Sequence, residues 1–203
     1  MSDTNKVEFG LSEIHVGTYT VGSNGEVTMG PPYRMPGAVA MNLDPEMEEN
    51  SFYADNVKYY SNYQDNGFTG SLEMARFTDK FKTQFLGYVE LSDGGIAAIK
   101  GKEKPKVYIA FQGEGDAQQR RCILYNVSLG GIKVEKGTKE ASTEPKTQSI
   151  DITVTGDNAT GITMAEYAQD ASGYSTLFTN PPAPTLPEGG RITTDAGSQT
   201  MKK

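Results

Sequence analysis

The chain has 203 residues, enough to bury a substantial core, and it contains 23 glycines, 11 tyrosines and no tryptophan. With only 36% hydrophobic residues, this composition predicts one soluble, turn-rich β domain. The formal net charge of −7 argues against tight nucleic-acid binding, which depends on lysine and arginine contacts with phosphates. No apolar run approaches the roughly 20 residues that cross a membrane.

The first ten residues, MSDTNKVEFG, lack the charged and apolar regions of a secretion signal, so we expect the chain to fold in a cytoplasm. The single cysteine, Cys122, excludes an internal disulfide. Because it lies within an apparent strand, we expect it to be a small buried apolar group rather than a nucleophile.

The first predicted element is a hairpin. Residues 13–21 alternate in polarity with a period of two, and an Asn24-Gly25 pair then reverses the chain into Val27. His15, the only histidine, is expected on the more polar face of this strand, and without a second histidine or a cysteine pair a zinc site is hard to assemble.

A short strand is predicted over residues 38–43, ending at Asp44-Pro45. Residues 44–66 show no clean period of 2 or 3.6, which predicts a long loop, and long loops in compact domains are usually functional. Its aromatic side chains suit either a partner-binding surface or packing on the domain's own sheet. The candidate interface residues are Phe52, Tyr53, Asp55, Tyr59, Tyr60 and Tyr63.

One short helix is predicted over about residues 78–87, after a strand at residues 67–77. Three phenylalanines at four-residue spacing share one face of it: Phe77, Phe81 and Phe85. Thr78 is a suitable N-cap, and Gly87 can adopt the left-handed conformation that ends the helix. Two turns do not persist alone in water, so the aromatic face must pack on a sheet.

The rest of the chain is predicted to be β-structure. A strand pair over residues 88–99 precedes a lysine-rich loop that we expect to be solvated. In this loop four lysines surround Glu103: Lys100, Lys102, Lys104 and Lys106. The strongest hairpin signal spans residues 105–127, with its turn at 113–116, and strands follow at 132–135 and 147–155. Tyr174 and Phe178 are candidates to close the core. The Pro-rich composition of residues 180–203 predicts an extended or disordered tail.

No catalytic, cofactor or metal site is predicted. The phosphate-loop pattern is absent, and the carboxylates Glu114 and Asp116 lie in a turn, where they lack the fixed separation that glycoside hydrolysis needs. Charge is unevenly spread: residues 1–95 carry 14 acids against 6 bases, and the remainder 12 against 13. This suits either head-to-tail self-association or ordinary solvated surface charge.

The order of several short motifs resembles the major tail proteins of long, flexible-tailed bacteriophages, particularly those of Gram-positive hosts. The motifs, which span about residues 6 to 155, are KVEFGL from Lys6, PGAV from Pro36, FYADNVKYY from Phe52, GSLEMA from Gly70, FLGY from Phe85, IAFQGEGD with RRCILYN, and EPKTQSIDITV from Glu144.

The resemblance implies a mainly β fold, a β-sandwich or partial barrel with one short flanking α-helix, similar to the tube protein of type VI secretion systems. It implies one domain over residues 1–179, hexameric rings stacked into the tail tube of the virion, and an inter-ring role for the loop at 44–66. The implied partners are copies of the chain and the tape measure, tail terminator and baseplate proteins. Phage DNA would pass through the lumen without specific binding, and no cofactor is implied.

Two other functions stay open on the sequence alone. One is a cytoplasmic β-sandwich module that binds a ligand such as a carbohydrate, and the other is a hydrolase that uses scattered carboxylates. A binding module should stay monomeric with a ligand cleft, and a hydrolase should lose activity when one acid is replaced.

Overall fold

The computed structural model of the protein describes residues 10–115, 119–134 and 146–187. Within these ranges the chain forms eleven β-strands and one short α-helix. The strands are β1 (Leu11–Val21), β2 (Val27–Met29), β3 (Tyr33–Arg34), β4 (Ala38–Ala54), β5 (Val57–Met74), β6 (Val89–Glu90), β7 (Ile96–Ala97), β8 (Val107–Gly113), β9 (Arg121–Lys133), β10 (Gln148–Val154) and β11 (Met164–Tyr167). The helix, α1, is Asp79–Phe85.

Nine of these strands form one antiparallel sheet in the order β2-β1-β8-β9-β10-β5-β4, with β3 added to β1 and β11 added to β9. Strands β6 and β7 form a separate pair. β1 also contacts β4 across the core, although four strands lie between them in the sheet. The sheet therefore curls around its core but stays open in the described part of the chain. The mainly β fold with one short helix is confirmed.

The main core lies on the concave face of this sheet. It collects apolar side chains from β1, β8, β9, β10 and β5, and helix α1 covers it. Phe77 and Phe81 are fully buried and Phe85 nearly so, with ring centroids 5.1 and 5.5 Å apart in succession. Thr78 caps the helix by accepting a 3.2 Å hydrogen bond from the Phe81 amide, and Gly87 is left-handed, as predicted.

A second cluster lies on the opposite face, where residues 168–187 cover β8 and β9. It contains Tyr19, Tyr108, Ala110, Ile123, Tyr125 and Leu177. Leu177 is fully buried, whereas Tyr174 and Phe178, the predicted closing residues, are half-buried against the Arg121 guanidinium at 4.1 and 4.3 Å. The prediction found the right segment but missed the buried side chain.

Two strand predictions were wrong. β4 does not end near Asp44-Pro45 but continues to Ala54, because an edge strand pairs on one side only and tolerates a proline that lacks the amide hydrogen. The second strand of the central hairpin does not end near residue 127, and the strand predicted at 132–135 is not separate from it, because β9 continues through Gly130 and Gly131 to Lys133.

His15 also differs from its prediction. It lies on the face of β1 opposite to Ile14 and Val16, as alternation requires, but it is only 7% exposed. The cause is the segment 168–187, which covers this face and stacks the Phe178 ring on His15 at 4.5 Å. The Cys122 side chain is half-buried.

Several predicted features extend outside the described residues. They include the first residues of the chain, the tip of the central hairpin at Asp116, residues 135–145 and the tail from residue 188. The described beginning of the Pro-rich segment packs on the domain, with Pro181 and Pro184 buried and the Pro182 carbonyl accepting a 3.1 Å hydrogen bond from the Tyr125 hydroxyl.

Candidate assembly surface

Residues 46–66, called the ribbon below, form a two-stranded arm that extends beyond the rest of the sheet. β4 and β5 remain paired from Met47↔Asp65 to Ala54↔Val57, whereas β10 pairs with β5 only up to Phe68. The predicted loop at 44–66 is therefore wrong in structure, since it is a regular hairpin. Its turn places Asp55 and Asn56 at φ of 51° and 62°, the positive values that a two-residue type I′ turn requires.

The register of the ribbon separates two faces. Phe52 lies directly opposite Tyr60, and the pair Asn50↔Asn62, two rows away, projects on the same side. The pairs Glu49↔Tyr63 and Ser51↔Ser61 project on the other side. The register then skips Tyr59, which makes it the extra residue of a β-bulge.

The aromatic side chains of the ribbon do not pack on the domain. Phe52, Tyr53, Tyr60 and Tyr63 are 58–64% exposed and Tyr59 is 76% exposed. Packing on the chain's own sheet is thus excluded as the reason for these aromatics. An exposed concentration of large aromatic rings is typical of a surface that another macromolecule covers.

The ribbon is also strongly acidic. It carries five carboxylates and one lysine: Glu46, Glu48, Glu49, Asp55, Asp65 and Lys58. Lys58 forms an ion pair with Glu49, which also accepts a 2.7 Å hydrogen bond from the Ser61 hydroxyl. The Lys58 and Ser61 hydrogen bonds lower the pKa of Glu49, so this carboxylate stays charged.

Two glycines fix where the ribbon leaves the sheet. Gly67 has φ of +100°, and a side-chain carbon there would lie 2.0 Å from the Val154 carbonyl oxygen. A side-chain carbon on Gly70 would lie 1.9 Å from the Asn42 carbonyl oxygen. Asp65 adds a 2.9 Å hydrogen bond from the Gly67 amide to its carboxylate. The root of the ribbon therefore holds a backbone conformation and a close approach that other residues would disturb.

All six predicted interface residues lie on the ribbon, but they occupy different positions in it. Asp55 forms the turn, Tyr59 occupies the bulge, and the Phe52–Tyr60 pair lies on one face with Tyr53 and Tyr63 on the other. Sequence reasoning missed Met47 and Val57, which are 50% and 59% exposed. The Asp55-Asn56 pair between two aromatic runs was the signal that could have identified the hairpin.

Other concave or polar places offer less chemistry. A groove of about 440 Å³ lies between β3 and α1, lined chiefly by Pro31, Pro32, Tyr33 and Phe85, with Lys80 placed 5.1 Å from the Tyr33 ring centroid. In the described ranges no group of three or more histidine, cysteine or acidic side chains could hold a metal ion. No helix in these ranges is long and apolar enough to cross a membrane.

Exposed aromatic and acidic side chains on an extended arm are typical of a surface that binds another protein. The comparisons with known proteins identify the family. The profile of the family described as phage tail tube protein matches residues 2–171. The chain belongs to this family, which is a structural family of the virion tail and not an enzyme family.

The comparisons with individual proteins are more distant. No curated protein matches the chain in sequence. Among solved structures, the chain is similar to the tube-terminating cap of the anti-feeding prophage, at 13% identity and a TM-score of 0.46, over 83% of this chain and 99% of the cap.

Proposed function

We propose that the protein assembles into hexameric rings that stack into the tube of a phage tail, the conduit through which DNA is ejected into the host. The observation that carries this proposal is the ribbon, whose five aromatic side chains are each at least 58% exposed. Family membership supports the tail tube as the place where such an arm functions.

Within the tube, the ribbon is the contact between successive rings. A two-stranded hairpin is at best marginally stable alone in water, and this one extends past the strand that supports its root. Burying its aromatic side chains against a neighbouring ring would hold it, at roughly 1.5 to 3 kcal/mol for each large apolar side chain buried.

Closing a ring of subunits would pair the edge strands of each sheet with strands of neighbouring copies. β4 pairs only with β5, and β2 only with β1, among the described residues. Unpaired strand edges in a soluble chain favour pairing with another chain, and a closed ring of subunits removes such edges.

The tube would act passively on DNA. A ring of six chains carries six times the formal −7 of one chain, and acidic groups along the bore would repel the phosphates. The screening length at physiological salt is about 8 Å, so this repulsion reaches across much of a narrow bore. DNA then slides through the lumen without specific binding.

The other expected partners are the proteins that take part in tail assembly. The tape measure protein would set the length of the tube, and the terminator and baseplate proteins would occupy its two ends. Assembly would take place in the host cytoplasm, before the virion is released.

A shortened ribbon tests the proposal. Asn50 and Asn62 are directly paired, so replacing residues 51–61 with Asn-Gly closes the hairpin in register. We expect wild-type protein to form tubes in negative-stain micrographs, and the shortened variant to fold, by circular dichroism, without forming tubes. A full-length variant with Phe52→Ser and Tyr60→Ser should also lose tubes, which separates loss of the aromatic pair from loss of length.

Two results would contradict the proposal. Tubes formed by the shortened variant would show that the ribbon does not join rings. If the wild-type protein stays monomeric at high concentration, the proposal that it assembles into a tube is contradicted.

A further inference from the structure

The ribbon and the segment 98–106 lie at opposite ends of the sheet. The residues Phe68, Val154, Val127 and Val107 pair in succession across β5, β10, β9 and β8. These four paired residues define one row across the sheet. β5 runs from the ribbon to Phe68 and continues away from the ribbon to Met74. β8 starts at Val107 and runs in the opposite direction, towards the side on which the ribbon lies. The residues that precede Val107 therefore lie on the side away from the ribbon.

The segment 98–106 gives this far end a positive charge. It contains four lysines and one acid, Glu103. Lys104 is anchored to β9 by a 3.2 Å hydrogen bond to the Leu129 carbonyl, and Lys106 donates to the Ser128 hydroxyl. Lys100 and Lys102 are exposed, so their ammonium groups face solvent from a segment that is held on the sheet.

The two ends have complementary chemistry. The ribbon presents carboxylates and tyrosine rings, and both attract an ammonium group, the first by charge and the second through the ring face. The anchored lysine segment presents exposed ammonium groups at the end of the sheet opposite to the ribbon. Identical copies stacked in one orientation would bring these two surfaces together.

We propose that the ribbon of one copy docks on segment 98–106 of the next copy along the tube axis. This rests on the proposed tube, and it names the receiving surface between rings. The contact is head-to-tail, so it adds copies in one orientation and gives the stack a polarity.

Charge reversal and charge exchange test the contact. One variant carries Lys100→Glu with Lys102→Glu, a second carries Glu46→Lys with Glu48→Lys, and a third combines all four changes. All four side chains are exposed, so the monomer fold should be preserved. We expect each two-site variant to lower the sedimentable fraction at least tenfold. The combined variant should restore it, because the two surfaces have then exchanged their charges and still attract each other.

The matched control is Asp170→Lys, an exposed acid outside both surfaces. It changes net charge without touching the contact and should assemble like wild type.

The inference is overturned if wild-type tubes form and both two-site variants assemble as well as wild type, or if the combined variant assembles no better than the two-site variants do. It is also overturned if only the lysine variant fails and wild-type assembly requires added DNA, since the lysines would then bind phosphate. Wild-type protein without tubes would instead contradict the proposed function.

Discussion

Asp157 is the most heavily hydrogen-bonded carboxylate in the described part of the chain. One oxygen, Oδ1, accepts a 2.6 Å bond from the Tyr19 hydroxyl. The other accepts bonds from the Thr160 amide at 2.8 Å, the Ala159 amide at 3.2 Å and the Thr160 hydroxyl at 2.8 Å. The residue is 3% exposed, so these bonds replace water. They join the turn after β10 to β1, which are distant in sequence.

The charge state of Asp157 follows from two opposed effects. Burial tends to raise the pKa of this carboxyl, but the hydrogen bonds from Tyr19, Thr160 and Ala159 outweigh burial and lower the pKa below its ordinary value. A folded-state pKa below the unfolded value of about 3.9 means that the ionised group stabilises the fold above that pH. This contribution is lost as pH falls through the folded-state pKa.

We therefore expect Asp157→Asn to lower the free energy of unfolding at pH 7 by about 1–3 kcal/mol, because the amide cannot accept all of these bonds. The difference between wild type and variant should shrink as pH is lowered below about 4. Urea denaturation at several pH values measures both effects. Tyr19→Phe, which removes one donor, should cost less. A difference that stays constant down to acidic pH would contradict the role of the charge.

At the scale of elements, helix α1 depends on its packing and not on its own propensity. It has seven residues, and its contacts with the core come through Phe81 and Phe85, with Phe77 just before the cap. A helix of this length does not form alone in water. The aromatic face holds the helix on the sheet, and the helix in turn covers the core between β1 and β5.

We expect Phe81→Ala to lower the free energy of unfolding by about 3–5 kcal/mol, because the residue is fully buried between two other rings. Urea denaturation followed by circular dichroism measures the change. Gln84→Ala, at an exposed residue of the same helix, is the control and should cost less than about 1 kcal/mol. Equal losses from both changes would show that the helix is held by something other than its aromatic face.

The helix and the ribbon show what the sequence could and could not reveal about elements. For α1, the four-residue spacing of phenylalanines, the Thr78 cap and the Gly87 stop agree, so local and tertiary preferences indicate the same structure. The ribbon has no buried face, so no alternation of polarity marks its strands. Register shifts between Pro45 and Met47 and between Phe52 and Tyr53 break its period further.

The same contrast applies to the candidate site. The concentration of aromatics and acids was visible in the sequence, and so were all six interface candidates. Which of them share a face was not visible, because it depends on the bulge at Tyr59, and a bulge is decided by the pairing of two strands. The position of segment 98–106 opposite the ribbon likewise depends on sheet order, which connects residues far apart in the chain.

At the scale of the whole molecule, the uneven charge of the sequence becomes a separation between two ends. The acids of the ribbon extend past one end of the sheet, and the lysines before β8 occupy the other. Copies that approach in one orientation attract each other, whereas copies that approach ribbon to ribbon repel. Steering of this kind acts on the rate of encounter, and it depends on the range of the field.

The rate of tube growth should therefore fall as salt rises. Going from about 0.1 M to about 1 M NaCl shortens the screening length from about 10 Å to about 3 Å. We expect the initial rate, followed by light scattering, to fall about tenfold or more, since steering of charged surfaces raises association rates by at least that factor. The four-site charge-exchanged variant should show the same dependence, because its ends still attract. A rate that rises with NaCl in both proteins would mean that the exposed aromatic rings, and not the charges, control the encounter between copies.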